Sequence, residues 1–401
     1  MLMKFVANVK NLVTAILWAT KNYDTKNSRS HVVLSVNEQG SGYFAHENSN
    51  SYMKAEFNVS TIDLSTDGVT QADLALEGTY LKSLANALVK SDGDVTVTKT
   101  SDTALIMKTN LGKFTVPLLD FRVSKVPELV ELGEVDDTEF FDSLGRIAKL
   151  CDAKNSGATS FLGSVDLGLD SANNKVTLFA TDRYALAQIS LDFSPANSDD
   201  DDTLVESFTT EHILLPSASA TVVPPTKGLN TSITLVGEKT HRGALRFGYS
   251  FPDGRLALFA LTNTTAFTHA DKMRKVVESG VEYDITVNTT ALKNAIKVIS
   301  DLSPAEYAVY LTVDKDGLSV SDANGSNTLA VELEGLNYES DEPYTAKFSR
   351  TVINSAFHPV ATSDVRLKWG TDSTAFIFEP VTENGNNVSN VFIMVALSQM
   401  S

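Results

Sequence analysis

The chain has 401 residues, 42% hydrophobic and 21% charged, enough apolar surface for two or three domains with cores of their own and too much for a disordered chain. A single cysteine, Cys151, excludes an intrachain disulfide framework and fits a reducing, cytoplasmic setting. The formal charge of −17 excludes a uniformly basic nucleic-acid binder, because phosphate repels a net anion.

A strand pattern over 4–9 opens the chain. Lys4 and Lys10 precede an apolar run, as in a secretory leader, but Val9, Leu12, Val13, Ile16 and Leu17 fall at i, i+3, i+4, i+7 and i+8 and predict an amphipathic helix instead. Strands follow over 31–36, 42–45 and 51–59, then a helix over 77–90 with Leu81, Leu84, Ala85, Leu88 and Val89 on one face. Strands over 94–99, 103–109 and 113–118 are separated by the turn signals Ser101-Asp102 and Asn110-Leu111-Gly112.

From about Val135 the order begins again. A helix over 137–154 carries Phe140, Phe141, Leu144, Ile147, Ala148 and Cys151 on its apolar face, with acids at its start and bases at its end. A hairpin over 164–191 leads to four consecutive aspartates at 199–202; adjacent carboxylates repel, so this run reads as a solvated loop. Where a second helix is due, Pro216 is followed by Pro224-Pro225, which makes that element short or absent. Strands over 232–236, 244–250 and 255–260 close this part.

The last part has a strand over 283–287, a helix over 288–301, strands over 308–313, 317–322 and 328–333, and a helix over 348–357. Strands over 365–369, 373–379 and 389–397 end it, with a hairpin loop over 383–388. No run approaches the roughly 18 apolar residues of a membrane span.

Helix, strands, helix, strands thus occurs three times, and the spacing predicts an α+β protein of three similar domains, 1–132, 133–278 and 279–401, each with two helices on antiparallel sheet. Charge follows the same division. The six helical segments sum to +6, which leaves −23 for everything else. Exposed helical faces attract lysine in any protein; the segregation over all six segments is what points to one basic surface.

No phosphate-binding Gly-Lys-Ser/Thr loop or dinucleotide glycine pattern is present. The six histidines, His31, His46, His212, His241, His269 and His358, lack metal-ligand spacing, and Cys151 sits on an apolar helix face. These absences predict a binding and assembly protein with no cofactor, no metal and no enzymatic activity.

One stretch over 175–191 carries a more specific signal. A strand pattern ends in Ala180-Thr181-Asp182-Arg183-Tyr184-Ala185-Leu186-Ala187, where Asp182 is suited to hold a turn. This resembles the Ala-Thr-Asp-Gly-His-Arg-Leu-Ala of the bacterial DNA polymerase III β sliding clamp family at five of eight positions. Met3-Lys4-Phe5, 112–119, 288–302 and Phe392-Ile393-Met394-Val395-Ala396-Leu397 resemble other parts of that family.

The resemblance implies a DNA clamp fold in which two protomers join head to tail into a ring around double-stranded DNA, without reading its sequence. The DNA-facing bases would be Lys10, Lys21, Lys82, Lys90, Arg146, Lys149, Lys154, Lys227, Lys293, Lys297 and Arg350. Short linear motifs of a polymerase and a clamp loader would dock on Leu162, Thr181, Leu186, Ile393, Met394 and Val395, with Tyr184 at the edge; the other reading of these residues is ordinary core. Phe114 and Val116 would meet Leu302 of a second copy. Arg183-Tyr184-Ala185 replaces the family's Gly-His-Arg and Val395 its proline, so the resemblance extends to a divergent, phage-encoded clamp with its own peptide preference. A tail or fibre protein built of repeated β-rich domains is the rival expectation.

Overall fold

The structure, a computed structural model, describes residues 3–24, 30–64, 70–99, 101–121, 126–152, 161–196, 203–209, 212–223, 231–262, 275, 278, 280–303, 308–338, 340–371, 374–382 and 391–397. In chain order the strands and helices run β1 (Met3–Asn8), α1 (Val9–Ala19), β2 (Val32–Asn37), β3 (Ser41–Glu47), β4 (Ser51–Leu64), β5 (Gln71–Leu76), α2 (Gly78–Leu88), β6 (Asp94–Lys99), β7 (Ala104–Thr109) and β8 (Gly112–Leu119). Then come β9 (Val130–Asp136), α3 (Asp137–Ile147), β10 (Ser164–Asp170), β11 (Lys175–Thr181), β12 (Ala185–Asp192), β13 (Ser194–Pro195), α4 (Thr203–Thr209), β14 (Ile213–Pro216), α5 (Ser217–Ala220), β15 (Ser232–Lys239), β16 (Leu245–Ser250) and β17 (Leu256–Ala260). The remainder is β18 (Tyr283–Asn288), α6 (Thr289–Leu302), β19 (Val309–Asp314), β20 (Gly317–Ser321), β21 (Thr328–Val331), β22 (Leu333–Asn337), β23 (Tyr344–Phe348), α7 (Arg350–Ala356), β24 (Asp364–Trp369), β25 (Ala375–Val381) and β26 (Val391–Ala396).

Two compact units divide the chain: Met1–Asp136 with Pro195–Phe208 and Asn230–Leu261, and Asp137–Ser194 with Thr209–Leu229 and Thr262–Ser401. In the first, β1-β6-β7-β8-β5-β2-β3-β4 forms a circuit that closes where β4 returns to β1, so this eight-stranded part has few free edges. β4 is long enough to pair also with β17, and the sheet continues through β16 and β15 to β9. In the second unit, one sheet runs β14-β10-β11-β12-β26-β25-β24-β18-β22 and another β21-β20-β19-β23.

The pairing order recurs. β1-β6-β7-β8 is repeated by β9-β15-β16-β17 and by β18-β24-β25-β26; β5-β2-β3-β4 is repeated by β14-β10-β11-β12 and by β23-β19-β20-β21. The three helices α1, α3 and α6 each start directly after the first strand of a repeat. Two of these starts are capped alike: Asn8 Oδ1 accepts from the Lys10 and Asn11 amides (3.0 and 3.4 Å), and Asn288 Oδ1 accepts from the Ala291 amide (3.0 Å). α1 buries Leu12, Val13, Ile16 and Trp18 against β3 and β4 and lies beside α2; α6 buries Leu292, Ile296 and Ile299 and lies beside α7.

Several expectations are refined. The 137–154 helix ends at Ile147 and passes into a 3-10 turn over Ala148–Leu150. The short element after Pro216 is a four-residue helix, while α4 forms where only an acidic loop was expected. β5, β9, β13, β14, β22 and β23 were not anticipated. The aspartates at 199 to 202 lie outside the described residues, as do Lys154, Lys227 and the 383–388 loop. Among the described residues no helix is long and apolar enough to cross a membrane.

Candidate functional site

The helical cations fall into two groups, one in each unit. In the first, Lys10 and Lys90 are exposed; Lys10 pairs with Asp92 at 2.5 Å. Lys82 Nζ donates to the Thr20 carbonyl just past the end of α1 (3.2 Å), so α2 contributes a cation where the α1 dipole is negative. Lys21 Nζ stands 5.4 Å from the centre of the Trp18 ring, and Arg255 covers the same indole at 4.8 Å. Burial lowers the Lys21 pKa, and the neighbouring Arg255 lowers it further. Arg255 escaped the sequence reading because it precedes a strand, whereas the expectation confined the bases to helices.

In the second unit Arg146 is fixed by three contacts: Nη2 to Ser143 Oγ (2.9 Å), Nε to the Asp142 carbonyl (3.3 Å) and Nη1 to the Pro359 carbonyl (3.5 Å). This ties the end of α3 to the segment after α7. His358 lies there, its pKa lowered by burial and by the positive charges of Lys149 and Lys293. Lys293 Nζ sits 5.5 Å from the Phe357 ring centre, and Lys297 is exposed one turn on. Lys149 and Lys293 are therefore both near enough to His358 to act on it, and the sequence had not singled out this histidine beside them. Arg350 is half-buried and reaches Asp301 at 3.5 Å.

The second candidate site is the sheet around the Thr181 turn. Asp182 Oδ1 accepts from the Tyr184 and Ala185 amides (2.9 and 2.7 Å), and Thr181 Oγ1 donates to the Ala185 carbonyl (2.8 Å) while accepting from the Arg183 amide (3.1 Å). The turn forces Arg183 to φ +83°, a left-handed conformation that costs a side-chain-bearing residue about 1–2 kcal/mol and a glycine almost nothing. Arg183→Gly is expected to stabilise the chain by about 0.5–1 kcal/mol after the larger entropy loss of glycine is subtracted, read as a higher urea midpoint. An unchanged or lower midpoint would show that the arginine side chain compensates for its backbone.

β12 pairs with β26, and Ala396 N donates to the Tyr184 carbonyl at 2.7 Å, so the turn and the terminal strand are one structure. Strand alternation then divides the residues expected to form a groove. Leu186 faces the same way as its partner Met394, and both join Phe179, Phe392, Ile377 and Ala375 in one apolar cluster with Val281 against it. Ile393 and Val395 point to the other side, where Phe378, their neighbour in β25, meets Phe357 beyond α7. They are fully buried. Tyr184 is 60% exposed at the turn, Thr181 is buried, and Leu162 is buried outside the cluster. The residues expected to form one groove are thus divided between the two faces of one sheet.

The residues expected at a protomer interface also separate. Leu302 is 60% exposed and Phe114 half-buried, whereas Val116 is fully buried opposite Leu105 and belongs to the interior of the first unit. Among the described residues no group of three or more His, Cys, Asp or Glu is placed to hold a metal ion. Burial, with a contribution from Asp182, pushes the Cys151 thiol up to about 12, which leaves it protonated and a poor nucleophile at neutral pH.

A threefold pairing pattern with a helix after each leading strand defines the architecture as one of three similar α+β repeats. Solved structures give it a family context. The chain is similar to the Helicobacter pylori β clamp bound to a DNA ligase peptide, at 16% identity and a TM-score of 0.74 over 99% of this chain and 100% of that one. It is similar to the DNA polymerase III subunit β of Pseudomonas aeruginosa at 13% identity and 0.76, with the same coverage, and to the β subunit of Thermotoga maritima at 14% and 0.73 over the whole of both chains. The chain therefore has the fold of the DNA polymerase III β clamps. No protein-family model matches the sequence, and no curated protein matches it.

Proposed function

We propose that this protein is a DNA sliding clamp: a ring that encloses double-stranded DNA, without sequence preference, and keeps a polymerase on it. The observation that carries this reading is a repeated junction with one instance left open. β4 of the first repeat pairs with β17 of the second, and β12 of the second pairs with β26 of the third, in equivalent positions of the pattern. The corresponding strands β21 and β8 have no such partner among the described residues. β21 pairs only with β20, and β8 pairs with β5 only at Leu118 and Leu119, so Gly112 to Pro117 keep an outer edge. A second copy joined head to tail satisfies both edges and closes a ring of two chains. Leu329, on β21, Leu302 and Phe114 are the apolar residues available there.

On this reading the domains are 1–132, 133–278 and 279–401, and the described bases Lys10, Lys21, Lys82, Lys90, Arg146, Lys149, Lys293, Lys297 and Arg350 face phosphate. Enclosure holds the DNA, so these contacts are electrostatic and need not be tight. Polymerase and clamp-loader peptides dock on the Phe179, Leu186, Phe392 and Met394 face, with Tyr184 at its rim; that the similar H. pylori clamp is bound to a DNA ligase peptide supports peptide docking as such. The protein does no chemistry of its own and works in the cytoplasm. A tail or fibre component is not favoured, since the similar structures over the full chain are clamps.

Topological linkage gives the test. Loaded by its cognate loader on nicked circular DNA, the protein is expected to co-elute with the circle in gel filtration and to be lost when a restriction enzyme linearises it. Equal retention on both forms would replace enclosure with ordinary binding.

A further inference from the structure

The first junction holds a feature that the clamp reading leaves unused. On the sheet formed by β2, β3, β4 and β17, Val33, Ala45 and Tyr52 form an apolar floor that continues onto β17 through Leu258 and Leu256, with Tyr43 packed against it. Above that floor is a cleft of about 1230 Å3, walled by residues 126–128, by the hairpin over 239–244 and by the turn at Asn48-Ser49. Its position repeats that of the apolar cluster in the second unit, because Tyr52 pairs with Leu258 at this junction as Leu186 pairs with Met394 at the other.

What differs is charge. Arg246, its side chain 9% exposed, lies at one end and reaches Glu47 at 2.9 Å and Glu238 at 3.4 Å. One guanidinium between two carboxylates leaves a surplus negative charge, and Glu238 is itself buried. Burial raises the Glu238 pKa, Arg246 opposes this, Glu47 adds to it and His241 lowers it slightly, the net direction being upward. A second cation beside these carboxylates relieves that cost. Tyr43 already takes a cation, with Lys54 Nζ 5.0 Å from its ring centre. Lys239 and Arg242 also line the cleft and are exposed, as are Glu47 and Glu128, so salt screens these four; Glu238 alone is buried and is screened much less. The chain as a whole carries −17, which draws basic partners in the same sense.

We propose that this cleft is a second peptide-docking site, one that takes an extended basic segment: an arginine or lysine against Glu47 and Glu238, and apolar side chains two residues apart on the floor at Val33 and Tyr52. The spacing follows from an extended chain, whose alternate side chains share a face. The site is independent of the groove in the second unit and of whether the protein encloses DNA.

The test uses the full chain and two fluorescein-labelled peptides, Arg-Ala-Leu-Ala-Phe and Gln-Ala-Leu-Ala-Phe, read by anisotropy. The arginine peptide is expected to bind, and Glu47→Gln to weaken it about tenfold while changing the glutamine peptide less than about twofold. Ser49→Lys, an exposed change at the rim that does not depend on the buried cluster, should weaken the arginine peptide in the same sense. Absence of saturable binding up to about 1 mM overturns the proposal. So does binding that neither variant alters, or binding lost in Tyr184→Ala, which would place the peptide in the second unit.

Discussion

Arg246→Leu should cost the first unit about 3 kcal/mol near pH 8, because it strands Glu238 in the interior and leaves Glu47 facing it unneutralised. The loss should shrink toward pH 5. Burial holds the Glu238 carboxyl above its ordinary value, and without Arg246 it rises further; a carboxyl raised in the folded state binds its proton more readily there than in the unfolded chain. Stability therefore falls as pH rises through the folded-state value and recovers as pH drops toward the unfolded one. Urea unfolding in a Trp369→Phe background, where Trp18 reports on the first unit alone, measures this directly. Equal losses at the two pH values would mean that packing of the arginine stem, and not charge, is what the residue supplies.

Lys149→Gln with Lys293→Gln should lower affinity for linear duplex roughly tenfold at about 50 mM salt, and make the slope of log K against log salt shallower by about 1.8, the value for two phosphates. Burial still lowers the His358 pKa once both lysines are glutamine. Lys175→Gln, on β11 and paired with Asp192 at 2.5 Å, serves as the control and should change neither quantity. Slopes that match the unmodified protein would remove these two lysines from the DNA-facing set.

The parts of the fold that were legible in the sequence are those with a single buried face. α1, α2, α3 and α6 bury one stripe each, and their apolar spacing states it. β26 is buried on both sides from Phe392 to Val395, so its four apolar residues carry no period from which to tell the groove face from the helix face. β5 was missed because Gln71-Ala-Asp-Leu-Ala-Leu uses alanine where strands favour branched residues. β14 has only four residues and ends in a proline. Arg246 and Glu238 were not singled out in the sequence; Arg246 meets Glu47 199 positions away, a proximity no local pattern encodes. The same holds for Arg255 beside Trp18.

The middle repeat is divided between the two compact units, with β9 and β15 to β17 in one and β10 to β12 and β14 in the other. Each half completes a sheet begun by a different neighbour, and the β4 ladder to β17 brings together stretches about two hundred positions apart. An excised 133–278 fragment should accordingly remain unstructured, and refolding of the intact chain should wait on these distant partnerships, whose closure entropy is spent before any ladder forms. A nascent chain still on the ribosome carries an unfinished first unit until Leu261 has emerged.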